Sequence, residues 1–274
     1  MRVAIIKDGM QFMTCFRLRC LFVGLAILLT LGVCALSYGQ DSVTIEPFGQ
    51  IHAYKPLSSV DNFVILVSGD GGWEHAVVDM ASKLSGDGTF VAGVDIREYL
   101  DGVKKSREVC LDAGGDFRDL AMRMRTEYGL PSDLKPILMG YSSGATLVYA
   151  AAAESADAFA GALSFGFCPD FEFSVPFCPG QTLETSAIPH GKGLYVLPDK
   201  RLQIPWIVFQ GSTDQVCNSD IAKHFVSQVP SGEFVYLPKV GHGFAKDKNW
   251  LPQFRQVFTG LHAAQRGKTI PTTT

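Results

Sequence analysis

The segment ILMGYSSGATLVYAAAA, Ile137 to Ala153, constrains the fold more than any other part of the chain. Its opening apolar run reads as a buried strand that stops at Gly140. Two serines and Gly144 follow, and from Ala145 to Glu154 the pattern is helical. A strand that becomes a helix within so few residues must bend sharply. Gly140 and Gly144 let the two elements pack closely, and the bend lifts the Ser142 hydroxyl clear of the strand end. Gly140-Tyr141-Ser142-Ser143-Gly144 therefore has the form of a nucleophile elbow, G-x-S-x-G. Ser143 competes for the role, but the symmetric flanking glycines select Ser142. The amides that open the next helix would face negative charge developing on a substrate oxygen.

The remaining pattern supplies a frame for such a bend. VTIEP and IHAY read as an opening hairpin. Apolar runs at Phe63–Ser68, Phe90–Asp95, Gly161–Gly166, Trp206–Gly211 and Phe234–Pro238 read as strands. Helical spacing is expected over Glu74–Leu84, in a segment capped by Asp116 and carrying Phe117, Leu120, Ala121, Met124 and Tyr128, and over Trp250–Ala264. Strands alternating with helices imply an α/β fold: a mostly parallel sheet with helices on both faces, the α/β-hydrolase arrangement. Residues from Phe167 to about Gly193 carry four prolines and two cysteines and read as a long irregular segment covering a site. Ligands bind such sheets beyond the carboxyl ends of the strands.

A serine hydroxyl needs a base, and the base needs a carboxylate to fix its tautomer. His242, in KVGHGF, follows the last strand; His52, His75, His190, His224 and His262 have no such setting. Asp214, in VFQGSTDQVC, follows the preceding strand by a short loop. Asp220 is the alternate, although it falls where the next helix begins and reads as its cap. The order Ser142, Asp214, His242 is that of α/β-hydrolases. Backbone amides of Ser143 and of Asp70 or Gly71, in SGDGGW, are the candidate oxyanion donors. A carboxylate beside an oxyanion hole repels the developing charge, so Asp70 either points away or receives a cationic substrate group. Trp73, Tyr141 and Asp170, with Glu172, are further candidate substrate contacts. This chemistry calls for no metal or organic cofactor.

SGDGGW, GYSSGA, FCPDFEF…PFCPG and GHGF together resemble the bacterial virulence protein VirJ/AcvB family, over about residues 60 to 260. The resemblance implies an exported α/β-hydrolase of the shorter form, without the additional N-terminal domain of AcvB-type members. Those members are hydrolases of lysyl-phosphatidylglycerol, and VirJ is linked to type IV secretion. The implied partners are therefore a lipid or other ester at a membrane surface, or components of a secretion apparatus. A binding factor that keeps the scaffold without catalysis is the alternative.

Arg17 and Arg19 precede an uncharged run to about Leu36, followed by ALSYGQDS. A basic region, an apolar stretch and small residues describe a secretory signal over residues 1–39, cut after Gly39. Retained, the run would act as a membrane anchor. The domain then covers 40–264, and 265–274 is read as a loose tail. Export to the periplasm agrees with the cysteines Cys110, Cys168, Cys178 and Cys217, an even set suited to two disulfides. Of the three connectivities, Cys168–Cys178 with Cys110–Cys217 is favoured, because the first would staple the loop CPDFEFSVPFC. A net charge of −3 with no basic stripe argues against nucleic acid as a partner.

Overall fold

The structure is a computed structural model and describes residues 40–179, 182–189 and 191–265. The proposed signal over 1–39, His190 and the tail beyond Gln265 lie outside the described residues.

A hairpin opens the domain, β1 (Gln40–Ile45) and β2 (Gly49–Tyr54). Then come β3 (Asn62–Val67), α1 (His75–Gly86), β4 (Thr89–Val94), α2 (Ile96–Ser106) and α3 (Ala113–Tyr128). The elbow joins β5 (Ile137–Tyr141) to α4 (Ser143–Glu154), and β6 (Gly161–Phe165) follows. Three short strands come next, β7 (Asp170–Phe171), β8 (Thr185–Ala187) and β9 (Leu194–Val196). The chain closes with β10 (Trp206–Gly211), α5 (Ser219–Val226), β11 (Gly232–Leu237) and α6 (Leu251–Gln265).

Eight strands form one sheet in the order β1-β2-β4-β3-β5-β6-β10-β11. The β1–β2 and β2–β4 pairs are antiparallel, and every later pair is parallel. Alternation within β3 shows how the sheet is covered. Phe63, Ile65 and Val67 join the cluster that holds Phe117, Leu120 and Leu147 of α3 and α4. Val64 and Leu66 join the opposite cluster, with Val77, Met80 and Leu84 of α1 and Phe254 and Phe258 of α6. Both faces are buried, which is why the central strands read as unbroken apolar runs. Among the described residues no helix is long and apolar enough to cross a membrane.

Four expectations need correction. Helix α2 is missing from the spacing argument, although Asp95-Ile96-Arg97-Glu98 has the form of a capping box. Asp95 caps it by accepting from the Arg97 amide. Helix α3 is capped by Asp112, which accepts from the Gly115 amide, and not by Asp116, whose carboxylate accepts from the Tyr99 hydroxyl at 2.7 Å. Helix α5 is capped by Asn218, which accepts from the amides of Asp220 and Ile221. The segment after Phe167 is also not wholly irregular: β7, β9 and β8 form a small antiparallel sheet.

The disulfide pairing also differs. Cys110 bonds Cys178, and Cys168 bonds Cys217. Cys168 leaves β6 beside its parallel neighbour β10, whose following loop carries Cys217. Cys178 is carried away from Cys168 by β7 and reaches Leu111, whose amide donates to Pro176 O and whose carbonyl accepts from the Cys178 amide. Sequence proximity favours the local pair; the sheet brings together the distant ones.

Candidate active site

Ser142 stands between β5 and α4 with φ 55° and ψ −123°. A non-glycine residue in such a conformation carries about 1–3 kcal/mol of strain, sustained only where the surroundings fix it. Glycines provide that fixation. A Cβ on Gly140 would lie 2.1 Å from Gly144 O, and one on Gly144 would lie 2.3 Å from Ser68 O. Strand, turn and helix thus touch backbone to backbone. The Ser142 amide donates to Phe165 O on β6, anchoring the turn to the next strand.

His242 follows β11, and its side chain is 17% exposed. Its Nε2 lies 2.9 Å from Ser142 Oγ, and its Nδ1 lies 2.8 Å from Asp214 Oδ2. The Asp214 side chain is fully buried. Its Oδ1 accepts from the amides of Val216 and Cys217, both at 2.9 Å, and Oδ2 also accepts from Gln210 Nε2 at 3.1 Å. Hydroxyl, imidazole and carboxylate therefore form one connected chain, supplied by the carboxyl ends of β5, β10 and β11. Tyr141 borders it, with its ring 5.3 Å from that of His242. Burial, reinforced by the Asp214 charge, raises the Tyr141 phenol above its ordinary range. Asp220, the alternate carboxylate, sits in the first turn of α5 instead.

The loop after β3 lies against the serine: a Cβ on Gly69 would come within 2.9 Å of Ser142 Cβ. Gly72 closes a tight turn by donating to Gly69 O, and the intervening Asp70 and Gly71 are exposed. Among the described residues no backbone acceptor takes the Asp70, Gly71 or Ser143 amides. Asp95 fixes the far end of the loop, its Oδ2 accepting from the Trp73 amide at 3.0 Å while Arg97 pairs with it. Burial pushes that carboxyl upward, but the Arg97 bond and the two amides hold it below the ordinary carboxylate range.

Trp73 corrects an expectation. It is 9% exposed, stacks on His52 at 5.1 Å, and a Cβ on Gly93 would strike its ring. It is a support beneath the loop, not a wall open to substrate. Asp170 opens β7 and is exposed, as is Glu172. No hydrogen bond or ion pair joins Asp170 to Ser142 or His242 among the described residues. The sequence reading also passes over Gln210, which a polar residue inside the apolar run WIVFQG could have signalled. Among the described residues no group of three His, Cys, Asp or Glu side chains converges as a metal ligand set.

Sheet order, elbow and residue chain together define an α/β-hydrolase fold. Solved structures of that fold are similar to the chain. Est1E from Butyrivibrio proteoclasticus is 15% identical with a TM-score of 0.53, covering 82% of this chain and 99% of its own. The esterase domain of a Rhodothermus marinus protein is 17% identical with a TM-score of 0.53, at 82% and 98% coverage. Dienelactone hydrolase from Anabaena variabilis ATCC 29413 is 17% identical with a TM-score of 0.52, at 82% and 96%. Within this fold the chain belongs to the bacterial virulence protein (VirJ) family, whose profile matches residues 61–253. A comparison with curated proteins returns no match.

Proposed function

We propose that the protein is a serine ester hydrolase working through an acyl-enzyme. The observation that carries this reading is the hydrogen-bonded chain Asp214–His242–Ser142 at a strained elbow. Ser142 Oγ attacks the ester carbonyl while His242 Nε2 takes its proton, and Asp214 stabilises the imidazolium. The amides of Ser143 and of Asp70 or Gly71 hold the oxyanion, assisted by the N-terminus of α4. His242 then protonates the departing alcohol. Water enters, gives its proton to His242 and releases the acid, restoring Ser142.

The substrate we favour is an aminoacyl ester of a phospholipid, such as lysyl-phosphatidylglycerol, met in the periplasm. Support comes from the motif resemblance and from the exposed carboxylate of Asp70, one residue beyond the glycine that abuts Ser142. The ammonium groups of a lysyl ester lie near its scissile carbonyl, where such a carboxylate can receive them. Two disulfides fit an oxidising compartment, which agrees with export through a signal over residues 1–39.

The test is labelling with a fluorophosphonate probe, followed by incubation with mixed membrane lipids. Ser142 is expected to carry the label, an aminoacyl lipid to disappear, and Ser142→Ala to abolish both. An inert Ser142 and unchanged lipids would overturn the hydrolase reading and favour a binding factor serving a secretion apparatus.

A further inference from the structure

Gln210 lies in β10 and is fully buried, yet its carboxamide is saturated with partners. Nε2 donates to Asp214 Oδ2 at 3.1 Å and to Cys217 O at 2.8 Å, and Oε1 accepts from the Phe167 amide at 3.0 Å. The orientation of the amide is forced. Reversed, its oxygen would face a carboxylate and a carbonyl, and its NH2 group would face another N–H donor.

We propose that Gln210 is a positioning residue for the hydrolytic reaction, acting through Asp214 on the orientation of His242; this rests on the reading of Ser142 as the nucleophile. Asp214 Oδ2 receives both the His242 ring, at 2.8 Å, and the Gln210 amide. Because Oδ1 is held by the Val216 and Cys217 amides, the carboxylate cannot turn without breaking bonds on both oxygens. The Gln210 donor also spreads the negative charge on Oδ2. With one acceptor direction of Oδ2 taken by Gln210 and the other turned to the ring, Nδ1 is set to donate and Nε2 to take the serine proton.

A covalent tie completes the arrangement. Phe167 and Cys168 leave β6 together, and the disulfide from Cys168 reaches Cys217, whose carbonyl and amide bind Gln210 and Asp214 respectively. The chain leaving β6, the amide on β10 and the Asp214 loop are thus linked in a closed ring. Gly166 sits at its mouth, where a Cβ would come within 3.1 Å of the His242 ring and 3.5 Å of Asp214 Oδ2. The titratable groups facing His242 are Asp214 and the Tyr141 phenol. Gln210 carries no charge, so a change there reaches the imidazole through Asp214.

Wild-type protein, Ser142→Ala and Gln210→Met are compared on a chromogenic short-chain ester across pH. Gln210→Met is expected to lower kcat about tenfold or more with KM within about twofold. The acid limb of its kcat/KM profile should move to higher pH, because the undispersed carboxylate charge stabilises the imidazolium more strongly. A folded variant with unchanged kcat, a change in KM alone, or a lower kcat with the acid limb unmoved would overturn the proposal. Turnover that survives in Ser142→Ala would overturn the hydrolase reading itself, a separate outcome. Should Gln210→Met fail to fold, the wild-type protein supplies the measurement. Phosphonylation of Ser142 traps the imidazolium, and the Gln210 side-chain amide resonance is expected to shift. A resonance that does not move would overturn the proposal.

Discussion

Gly69 and Ser142 are in van der Waals contact across the site, so that a methyl group added to the glycine would lie 2.9 Å from the serine Cβ. The loop proposed to offer amides to the site is thereby pressed against the elbow, and Gly69 can carry no side chain without moving one of them.

Gly69→Ala should separate loop and elbow. The added methyl meets the Ser142 side chain together with the ring and carbonyl of Tyr141. We expect kcat to fall by roughly 10²-fold or more, the loss associated with one misplaced oxyanion donor. The thermal midpoint should change by only a few degrees, because the clash lies at a loop and not in the core. Steady-state kinetics and a melting curve check both parts.

Asp70→Asn keeps the shape of that loop and removes its charge. If the carboxylate receives an ammonium group, the preference for lysyl over neutral acyl esters should shrink by about 5–50-fold in kcat/KM, with neutral esters hydrolysed no more slowly than before. Paired hydrolysis of a lysyl ester and an uncharged analogue reads this directly. An unchanged preference would remove Asp70 from substrate recognition.

A cluster of carboxyls around the end of α4 makes stability depend on pH. Glu154 ends α4, and its Oε2 accepts from the Gly114 amide at 2.8 Å. Burial pushes its pKa up from 4.5 to about 8; the Gly114 amide opposes this, and the charges of Asp112 and Asp116 add to it. Burial also raises Asp116 from 3.8 to about 6, against the Tyr99 hydrogen bond. Between the unfolded and folded values the native protein holds protons that the unfolded chain has released, so stability falls as pH rises. For Asp116 the window is 3.8 to about 6, and for Glu154 it is 4.5 to about 8. The thermal midpoint should drop by about 4–8 °C between about pH 5 and pH 8.5. Glu154→Gln, which retains an acceptor for Gly114, should remove most of that slope.

The sequence shows features whose cause is local. GYSSG between an apolar run and a helical pattern discloses the elbow, because glycine is needed within a few residues of the bend. Ser142, Asp214 and His242 can be placed together because each follows a strand at the same edge of the sheet. Distant causes leave fainter marks. Asp116 looks like a helix cap, yet Asp112 takes that position and Asp116 turns to Tyr99, which is brought near by α2. Trp73 resembles a pocket wall until Gly93 of β4 is seen to receive its ring. Gln210 reads as the polar end of a strand, and its partners Phe167, Asp214 and Cys217 are set by the packing of β6 beside β10.

The two disulfides interleave along the chain, with sequence separations of 68 and 49 residues. In an unfolded polypeptide a short loop closes more readily than a long one, so Cys168 encounters Cys178 before either meets its native partner. A Cys168–Cys178 bond is therefore the expected first product in the unfolded chain, and thiol–disulfide exchange would have to undo it before the Asp214 loop is clamped. Oxidative refolding is therefore expected to go faster with a thiol–disulfide exchange catalyst than with oxidant alone. Oxidant supplied alone, ahead of sheet formation, should accumulate a covalently misconnected chain of unchanged composition.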